Sequence, residues 1–227
     1  MQPDHGWKPG FGGRGDMIGN TAERIALVQV CRKLQAGGFI AATDGNVSCR
    51  AGAESFLITP SGKAKGELLP LDMLLVNLDG DVLQGSGRPS SEIRMHTLIY
   101  TRRPDVGAVV HAHPHMLTAF TLASIPFPAE ALPEVYLSFG SVPTAPFATP
   151  STDEVPRSIE ALVQNHQAIL MERHGAVTMG ATPRDAYLKL EKLEHAARTL
   201  FYAHLLRKEE ISPLPAEVLH KLDRLIS

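Results

Sequence analysis

Apolar side chains recur at the spacing of an amphipathic helix in several stretches of the chain. Asn20 precedes the first stretch and Glu23 lies three residues later, a pattern that predicts a capping box. Thr182 precedes the last stretch and is predicted to cap a long helix whose first position is Pro183. The helices are predicted at about residues 20–36, 89–103, 115–122, 152–165 and 182–205, and residues 212–227 predict a short amphipathic tail.

Shorter apolar runs lie between the predicted helices and predict β-strands. These runs cover residues 56–59, 74–78, 81–83, 108–113, 168–171 and 176–179. The dipeptide Asp79-Gly80 joins two of them and predicts a hairpin with a type I′ turn. Residues 125–151 are rich in proline and are predicted to be irregular, partly extended chain. This order of elements indicates an α/β or α+β domain with a mainly antiparallel central sheet layered between helices.

The N-terminal stretch differs from the rest of the chain in composition. Residues 1–19 are rich in glycine and polar residues and are predicted to form a flexible arm, followed by a single domain over residues 20–227. The stretch from Gly10 to Gly15 spells the dinucleotide-binding pattern G-x-G-x-x-G. No strand precedes this stretch and no βαβ unit surrounds it, so we predict no dinucleotide site there.

The overall composition narrows the class of protein. Hydrophobic residues make up 44% of the chain and charged residues 20%, which is typical of a globular protein. The net charge of -2 indicates no nucleic-acid partner. No apolar run is long enough to span a bilayer, so no membrane partner is expected. The two cysteines, Cys31 and Cys49, do not form a disulfide framework and suit a reducing cytoplasm.

Three histidines carry the clearest chemical pattern. His111 and His113 are one residue apart at the end of an apolar run, and alternate residues of a strand face the same side. His174 follows a second apolar run, residues 168–171. Three neutral imidazoles leave a divalent cation an open coordination position, as catalysis requires. An H-x-H pair alone is also compatible with two polar residues leaving a buried strand.

Two further patterns point to bound anions. Glu92 is predicted in the first turn of a helix behind Ser90 and Ser91, where the residues can simply cap the helix or can form an anion site with an acid/base beside it. The loops 43–48 and 59–63 offer hydroxyl and amide groups and a glycine that permits close backbone approach. Each loop alone is typical of an ordinary turn. Together these segments indicate a small phosphorylated substrate held against a metal.

Five segments of the chain resemble the class II aldolase/adducin family, in the same order and at similar separations. The likeness covers about residues 21–206. One such motif would be weak, whereas five in order are specific. The segments are Gly45-Asn46-Val47-Ser48, Thr59-Pro60-Ser61-Gly62, Pro89-Ser90-Ser91-Glu92, His111-Ala112-His113-Pro114 and Arg173-His174-Gly175.

The resemblance implies a fold, an assembly and a set of site residues. The fold is a central antiparallel sheet between helix layers, and the assembly is a homotetramer with active sites at subunit interfaces. A divalent ion, usually Zn²⁺ with Mn²⁺ or Co²⁺ as alternatives, would bind His111, His113 and His174, and Glu92 would move a proton beside it. The substrate phosphate would be held by Gly45, Asn46, Ser61, Gly62, Ser90 and Ser91.

The activity that the resemblance implies is metal-dependent cleavage of a ketose 1-phosphate to dihydroxyacetone phosphate and an aldehyde. Aldolases of this family use a tyrosine from a neighbouring subunit as a second proton donor, and residues 130–136 contain no clear equivalent. Tyr136 is the nearest tyrosine, and Tyr202 is a second candidate. Because unpaired polar groups in a closed site are costly, this difference favours an aldehyde with few hydroxyls, as from a 5-deoxypentulose 1-phosphate.

Other activities of the same scaffold are the alternatives. Ribulose-phosphate 4-epimerases of the family usually carry aspartate at the position of Glu92, which favours an aldolase here. A dehydratase or a decarboxylase is a further alternative, and the anion-binding segments argue against the decarboxylase. Adducin-like members are binding modules without the metal histidines, so the three histidines argue against that class.

Overall fold

A mixed sheet of eight strands organises the described part of the chain, which in this computed structural model is residues 19–207 and 211–226. The strand order is β4-β3-β2-β1-β5-β8-β7-β6, and each neighbouring pair is antiparallel except β6 and β7. The predicted mainly antiparallel sheet is therefore confirmed. The strands are β1 (Asn46–Arg50), β2 (Ser55–Ile58), β3 (Leu74–Asn77), β4 (Val82–Gln84), β5 (Ala108–Ala112), β6 (Thr144–Ala145), β7 (Ala168–Met171) and β8 (Gly175–Gly180).

Helices cover both faces of this sheet. Val109 and Val110 are adjacent on β5 and enter different cores, as strand alternation requires. One core contains side chains of α1, α3, α4 and α6, and the other contains those of α2 and α5. The helices are α1 (Thr21–Ala36), α2 (Ile93–Arg102), α3 (His115–Leu122), α4 (Pro133–Phe139), α5 (Glu154–Val163), α6 (Pro183–Arg207) and α7 (Ala216–Ile226). The predicted layering is confirmed.

One predicted helix cap is confirmed and one is wrong. The hydroxyl of Thr182 accepts a hydrogen bond from the backbone N–H of Asp185 at 3.1 Å, as predicted for the start of α6. Asn20 instead has a left-handed backbone (φ 61°), and its side chain makes no capping hydrogen bond to α1. An N-cap side chain requires an extended backbone to reach the first turn, so the predicted capping box does not form.

The hairpin between β3 and β4 also differs from the prediction. Gly80 has a positive φ of 91° but Asp79 does not, whereas a type I′ turn requires positive φ at both central residues. The N–H of Gly80 donates to the carbonyl of Asn77 at 3.1 Å, and the N–H of Asn77 donates to the carbonyl of Asp81 at 3.0 Å. The side-chain oxygen of Asn77 also accepts hydrogen bonds from the backbone N–H groups of Asp79 and Asp81, which stabilises this longer loop.

The proline-rich stretch 125–151 is more regular than predicted, because it contains α4 and β6. Pro133 occupies the first position of α4, where the missing N–H of proline costs nothing. Val135 and Phe139 are four residues apart and both are buried, so the helix is held by one apolar face. The predicted N-terminal arm, apart from Gly19, and the stretch Gly10–Gly15 lie outside the described residues.

Candidate active site

The three predicted histidines converge at one end of the sheet. His111 lies on β5, His113 follows the end of this strand, and His174 lies in the turn between β7 and β8. Strand β8 pairs with β5, which brings the turn beside the H-x-H segment. One ring nitrogen from each histidine lies within 4.8 Å of the other two. Among the described residues, this group has the geometry to hold a metal ion.

Hydrogen bonding leaves a free nitrogen on the most buried of these rings. Nδ1 of His111 donates to the carbonyl of Ala176 at 3.0 Å, which fixes the tautomer and leaves Nε2 as the free acceptor. Nε2 of His113 lies 3.1 Å from this Nε2. The Nδ1 atom of His113 lies 3.9 Å from a carboxylate oxygen of Asp44, which favours a proton on Nδ1. Both Nε2 atoms are therefore oriented towards a common point.

The surroundings keep all three rings neutral. Burial lowers the pKa of His111 well below its usual value, and the neighbouring histidines lower it further. Burial also lowers the pKa of His113, with His174 acting in the same direction. For His174, burial again lowers the pKa, and the charge of Glu92 partly opposes this effect. Neutral imidazole is the form that binds a metal, so the donor set fits a divalent cation.

Glu92 lies beside this cluster, at the position that precedes the first turn of α2 rather than within it. The side chain is buried, and Oε1 accepts a hydrogen bond from the backbone N–H of Ser151 at 2.6 Å. The second oxygen, Oε2, is buried without a hydrogen-bond partner. A buried carboxylate oxygen is costly when unpaired, so this atom further supports a cation or substrate group in the site.

The two predicted phosphate loops near α2 lie against each other. Pro60 and Pro89 form an isolated antiparallel bridge. The N–H of Ser61 donates to the carbonyl of Arg88 at 2.9 Å, and the N–H of Ser90 donates to the carbonyl of Thr59 at 3.1 Å. The hydroxyl of Ser90 accepts the N–H of Glu92 at 3.3 Å. Glu92 itself is the N-cap of α2 and no side chain caps the helix, so the capping role considered for Ser90 and Ser91 does not form. The hydroxyls of Ser61 and Ser91 lie on exposed residues.

Glycines shape the loops on both sides of this surface. Gly45 has φ of 71°, and a Cβ there would lie 2.6 Å from Ile40 Cγ2 and 3.0 Å from the carbonyl of His111. The loop before β1 can therefore approach the histidines only with glycine at this position. Gly62 also has a left-handed backbone (φ 72°), and a Cβ there would meet open space, which leaves its backbone accessible to a ligand.

Asn46 is held by a buried chain of side chains. Oδ1 of Asn46 lies 2.5 Å from Nε2 of His96, whose Nδ1 lies 2.6 Å from the hydroxyl of Ser48. That hydroxyl lies 2.8 Å from the hydroxyl of Tyr100. Burial lowers the pKa of His96 to about 3, so the ring is neutral. With Nε2 donating to Oδ1, Nδ2 of Asn46 is left as the donor for a ligand.

Lys65 is a residue that the sequence reasoning missed. The side chain is 2% exposed, and its ammonium donates to the carbonyls of Thr43 and Lys63 at 2.7 Å and 2.9 Å. One buried cation thus ties the loop before β1 to the loop after β2. Burial lowers the pKa of Lys65, while the negative charge of Asp44 opposes this effect. The local sequence has no signal for this role, because the linked segments are far apart in the chain.

The tyrosines considered as second proton donors lie elsewhere. The hydroxyl of Tyr136 donates to Asp223 of α7 at 2.8 Å, and the side chain of Tyr202 is on the exposed part of α6. Asp223 raises the pKa of Tyr136.

Comparison with known proteins identifies the family. Residues 25–201 match the family model of the Class II Aldolase and Adducin N-terminal domain. The chain is 32% identical to the 5-methylthioribulose-1-phosphate/5-deoxyribulose-1-phosphate aldolase of Rhodospirillum rubrum, over 88% of this chain and 89% of the relative. The 3-oxo-tetronate 4-phosphate decarboxylase of Escherichia coli K12 is 31% identical, over 78% of this chain and 85% of the relative.

Solved structures agree with this assignment. An L-fuculose 1-phosphate aldolase superposes with a TM-score of 0.83 at 26% identity, and the match covers 93% of this chain and 99% of the other. The chain therefore belongs to the class II aldolase and adducin family, and it is an enzyme of the class II aldolase type. None of the helices within residues 19–207 and 211–226 is long and apolar enough to cross a membrane.

Proposed function

We propose that this enzyme cleaves a ketose 1-phosphate to dihydroxyacetone phosphate and an aldehyde in a metal-dependent retro-aldol reaction. The observation that carries the proposal is the unpartnered Oε2 of Glu92 beside the histidine cluster. A carboxylate at this position can transfer a proton to or from a carbon of the bound substrate. The substrate oxygens next to that carbon would then lie near the ring nitrogens of the three histidines. The names of the aldolase relatives support a substrate of the fuculose or 5-deoxypentulose type.

His111, His113 and His174 would hold the metal ion. Three neutral nitrogen ligands with open positions suit Zn²⁺, and Mn²⁺ and Co²⁺ are the alternatives. A divalent ion bound there supplies Lewis-acid stabilisation to the negative charge that develops on the substrate oxygens. The hydrogen bond from His111 to Ala176 orients that ligand in advance, which reduces the reorganisation that binding requires.

Glu92 would act as the acid/base. In the cleavage direction it protonates the enediolate carbon and releases dihydroxyacetone phosphate, and in the reverse direction it removes the same proton. Burial of the carboxylate excludes water from the transfer. The hydrogen bond from the N–H of Ser151 engages Oε1 of Glu92 and leaves Oε2 available for the proton.

The phosphate would lie on the surface formed by the three loops, beside the proposed metal site. The hydroxyls of Ser61 and Ser91 and the amide of Asn46 are donors for its oxygens, and Ser90 shapes the start of α2. The backbone at Gly45 and Gly62 allows close approach. The buried ammonium of Lys65 adds positive charge beneath these loops. The full proposed set is Gly45, Asn46, Ser61, Gly62, Ser90 and Ser91.

The proposal also covers the type of aldehyde that is released and the oligomeric state of the enzyme. A small or deoxygenated aldehyde suits a site in which Tyr136 is already engaged by Asp223. A homotetramer with interfacial sites is supported by the family and by exposed apolar side chains near the end of α6, where Leu206 is 88% exposed. The free, buried thiols of Cys31 and Cys49 are consistent with a cytoplasmic enzyme. A single domain over residues 20–227 completes the proposal.

A decarboxylase is the main rival. The phosphate-binding segments do not argue against it, because the decarboxylase relative is named for a phosphorylated substrate. A phosphate-binding surface is therefore compatible with both activities. Both reactions would pass through an enediolate beside Glu92, and they differ in the group that leaves.

Proton exchange tests the proposal without knowledge of the aldehyde. The metal-loaded enzyme is incubated with dihydroxyacetone phosphate in D₂O, and loss of the proton signal at the hydroxymethyl carbon is followed by NMR. We expect exchange that depends on the metal and is restored by reloading Zn²⁺ after chelation. Absence of exchange in fully loaded enzyme would refute the proposed aldolase half-reaction.

A further inference from the structure

Ser151 is the residue that contacts the carboxylate of Glu92 most closely. Its backbone N–H donates to Oε1 at 2.6 Å, while its hydroxyl lies 3.5 Å from the same oxygen. The two residues are 59 positions apart in the chain. The carboxylate is thus held from outside α2, by the loop that leads into α5. The contact is made by the backbone rather than by the side chain.

Ser151 also has a strained backbone. Its φ of 65° lies in the left-handed region, which residues other than glycine rarely adopt. Such strain persists only where the surroundings impose it. Here the left-handed conformation accompanies an N–H group that points at Glu92. The strain therefore accompanies a specific contact with the proposed acid/base.

The surrounding turn holds this conformation. Arg94 donates to the carbonyl of Ser151 at 3.3 Å and pairs with Asp153 at 3.1 Å. The hydroxyl of Thr152 donates to the carbonyl of Thr149 at 2.7 Å. Because Arg94 lies two residues after Glu92, the start of α2 and the loop are fixed to each other on both sides of the carboxylate.

We propose that Ser151 is a positioning residue for Glu92, and that Oε2 is the oxygen that carries the transferred proton. The proposal rests on the proposed acid/base role of Glu92. Oε1 is occupied by the N–H of Ser151, whereas Oε2 is buried without a partner. During exchange, the C–H bond of dihydroxyacetone phosphate breaks, its electron pair enters the enediolate, and the proton forms an O–H bond at Oε2. The hydrogen bond at Oε1 prevents rotation that would move Oε2 away.

An amide-to-ester replacement isolates the N–H group. Glycolic acid at position 151 replaces this N–H by an ester oxygen relative to Ser151→Gly, and both versions adopt a positive φ without a Cβ. We expect the ester to exchange the proton of dihydroxyacetone phosphate about 10- to 100-fold more slowly than Ser151→Gly, which is the range for a hydrogen bond to a charged group. Metal content and the KM for dihydroxyacetone phosphate should not change.

A double replacement separates positioning from a general structural effect. In a Glu92→Gln background, the same ester should slow the residual exchange by less than about threefold, because interacting residues are not additive. An ester that exchanges as fast as Ser151→Gly, while Glu92→Gln is slow, would overturn the positioning role alone. Parental exchange in Glu92→Gln would instead overturn the proposed acid/base and the positioning role together. If the ester-containing protein does not fold, the Ser151→Gly variant provides the test. This variant retains the backbone N–H, so a more than tenfold loss of its proton-exchange rate would overturn the proposal.

Discussion

Asn46 lies directly opposite His111 across the antiparallel pair β1 and β5. One polar atom of each side chain is already engaged in a hydrogen bond. Oδ1 of Asn46 accepts from Nε2 of His96, and Nδ1 of His111 donates to the carbonyl of Ala176. The other polar atom of each is left for a ligand, an amide donor on one side and an imidazole acceptor on the other. One cross-strand pair thus joins the proposed phosphate surface to the proposed metal site.

The histidine cluster predicts how metal binding responds to mutation. His113→Ala should remove the bound metal and the activity, because two remaining nitrogen ligands hold a divalent ion weakly. His115→Ala is the matched control, since His115 lies two residues later on an exposed position outside the cluster. Elemental analysis of both purified variants measures the effect. Stoichiometric metal in the variant with all three cluster histidines replaced by alanine would refute the assignment.

Glu92→Gln should slow cleavage by about 10²–10⁴-fold, the usual contribution of a positioned acid/base. Metal content should stay near that of the parent, because the three histidines are untouched. Glu160→Gln is a suitable control, as this exposed carboxylate pairs with Arg102 on the surface between α2 and α5. The measurement is kcat together with metal content, and unchanged turnover in Glu92→Gln would contradict the proposed role.

Ser91→Ala should weaken binding of a phosphorylated enediolate mimic by about 10- to 100-fold, the value of a lost hydrogen bond to a charged group. Ser91 is the exposed hydroxyl beside Ser90, whose own hydroxyl already accepts the N–H of Glu92. Calorimetric titration with the mimic, and with the same compound lacking its phosphate, separates phosphate binding by Ser91 from contacts with the rest of the mimic. An equal loss of affinity for both compounds would show that Ser91 acts elsewhere.

Lys65→Met should also weaken binding of the phosphorylated mimic while the metal content is retained. The replacement leaves the carbonyls of Thr43 and Lys63 without their buried donor, which costs about 1–3 kcal/mol per group. Lys63→Met is the matched control, because Lys63 is exposed and pairs with Asp72 on the surface. Thermal denaturation and calorimetric titration of both variants measure the effect. Equal affinities in the two variants would argue against a loop-bridging role for Lys65.

The buried neutral histidines predict acid sensitivity of the metal-free protein. His96 has a pKa of about 3 in the folded state and about 6.5 when unfolded, so below pH 6.5 the unfolded chain binds the extra proton. Stability is therefore fully present above pH 6.5 and falls towards pH 3, by about 1.4 kcal/mol per pH unit for this group. Urea denaturation of parent and His96→Gln between pH 7 and 5 tests this. The variant should show the shallower pH dependence, and identical slopes would contradict the assignment.

The sequence predicted the elements of the site that depend on local spacing. His111 and His113 share a face because strand residues alternate, and Glu92 and Ser90 lie at a helix start that the sequence marks. Ser151 and Lys65 could not be predicted. Ser151 acts through its backbone N–H on a residue 59 positions away, and the ammonium of Lys65 binds the backbone carbonyl of Thr43, 22 positions away. Their contacts exist only once β1, β2 and α2 are packed together.

The two local errors have a related cause. The cap at Asn20 and the turn at Asp79-Gly80 were predicted from residue preferences for particular backbone dihedrals. At Asn20 the left-handed backbone accompanies a hydrogen bond from the side chain of Arg24 to the carbonyl of Gly19, and Arg24 also donates to Met73. In the hairpin, the side chain of Asn77 satisfies two N–H groups. In both places the observed dihedral accompanies side-chain hydrogen bonds that the cap and turn patterns do not include.

Product analysis tests the central claim most directly. The Zn²⁺-loaded enzyme is incubated separately with 5-deoxyribulose 1-phosphate, fuculose 1-phosphate and 3-oxo-tetronate 4-phosphate, and dihydroxyacetone phosphate and CO₂ are both quantified. We expect dihydroxyacetone phosphate from the two ketose 1-phosphates, with the higher kcat/KM for the 5-deoxy sugar, and no CO₂ from the third compound. Release of CO₂ from the oxo-tetronate, without dihydroxyacetone phosphate from either ketose, would contradict the aldolase assignment.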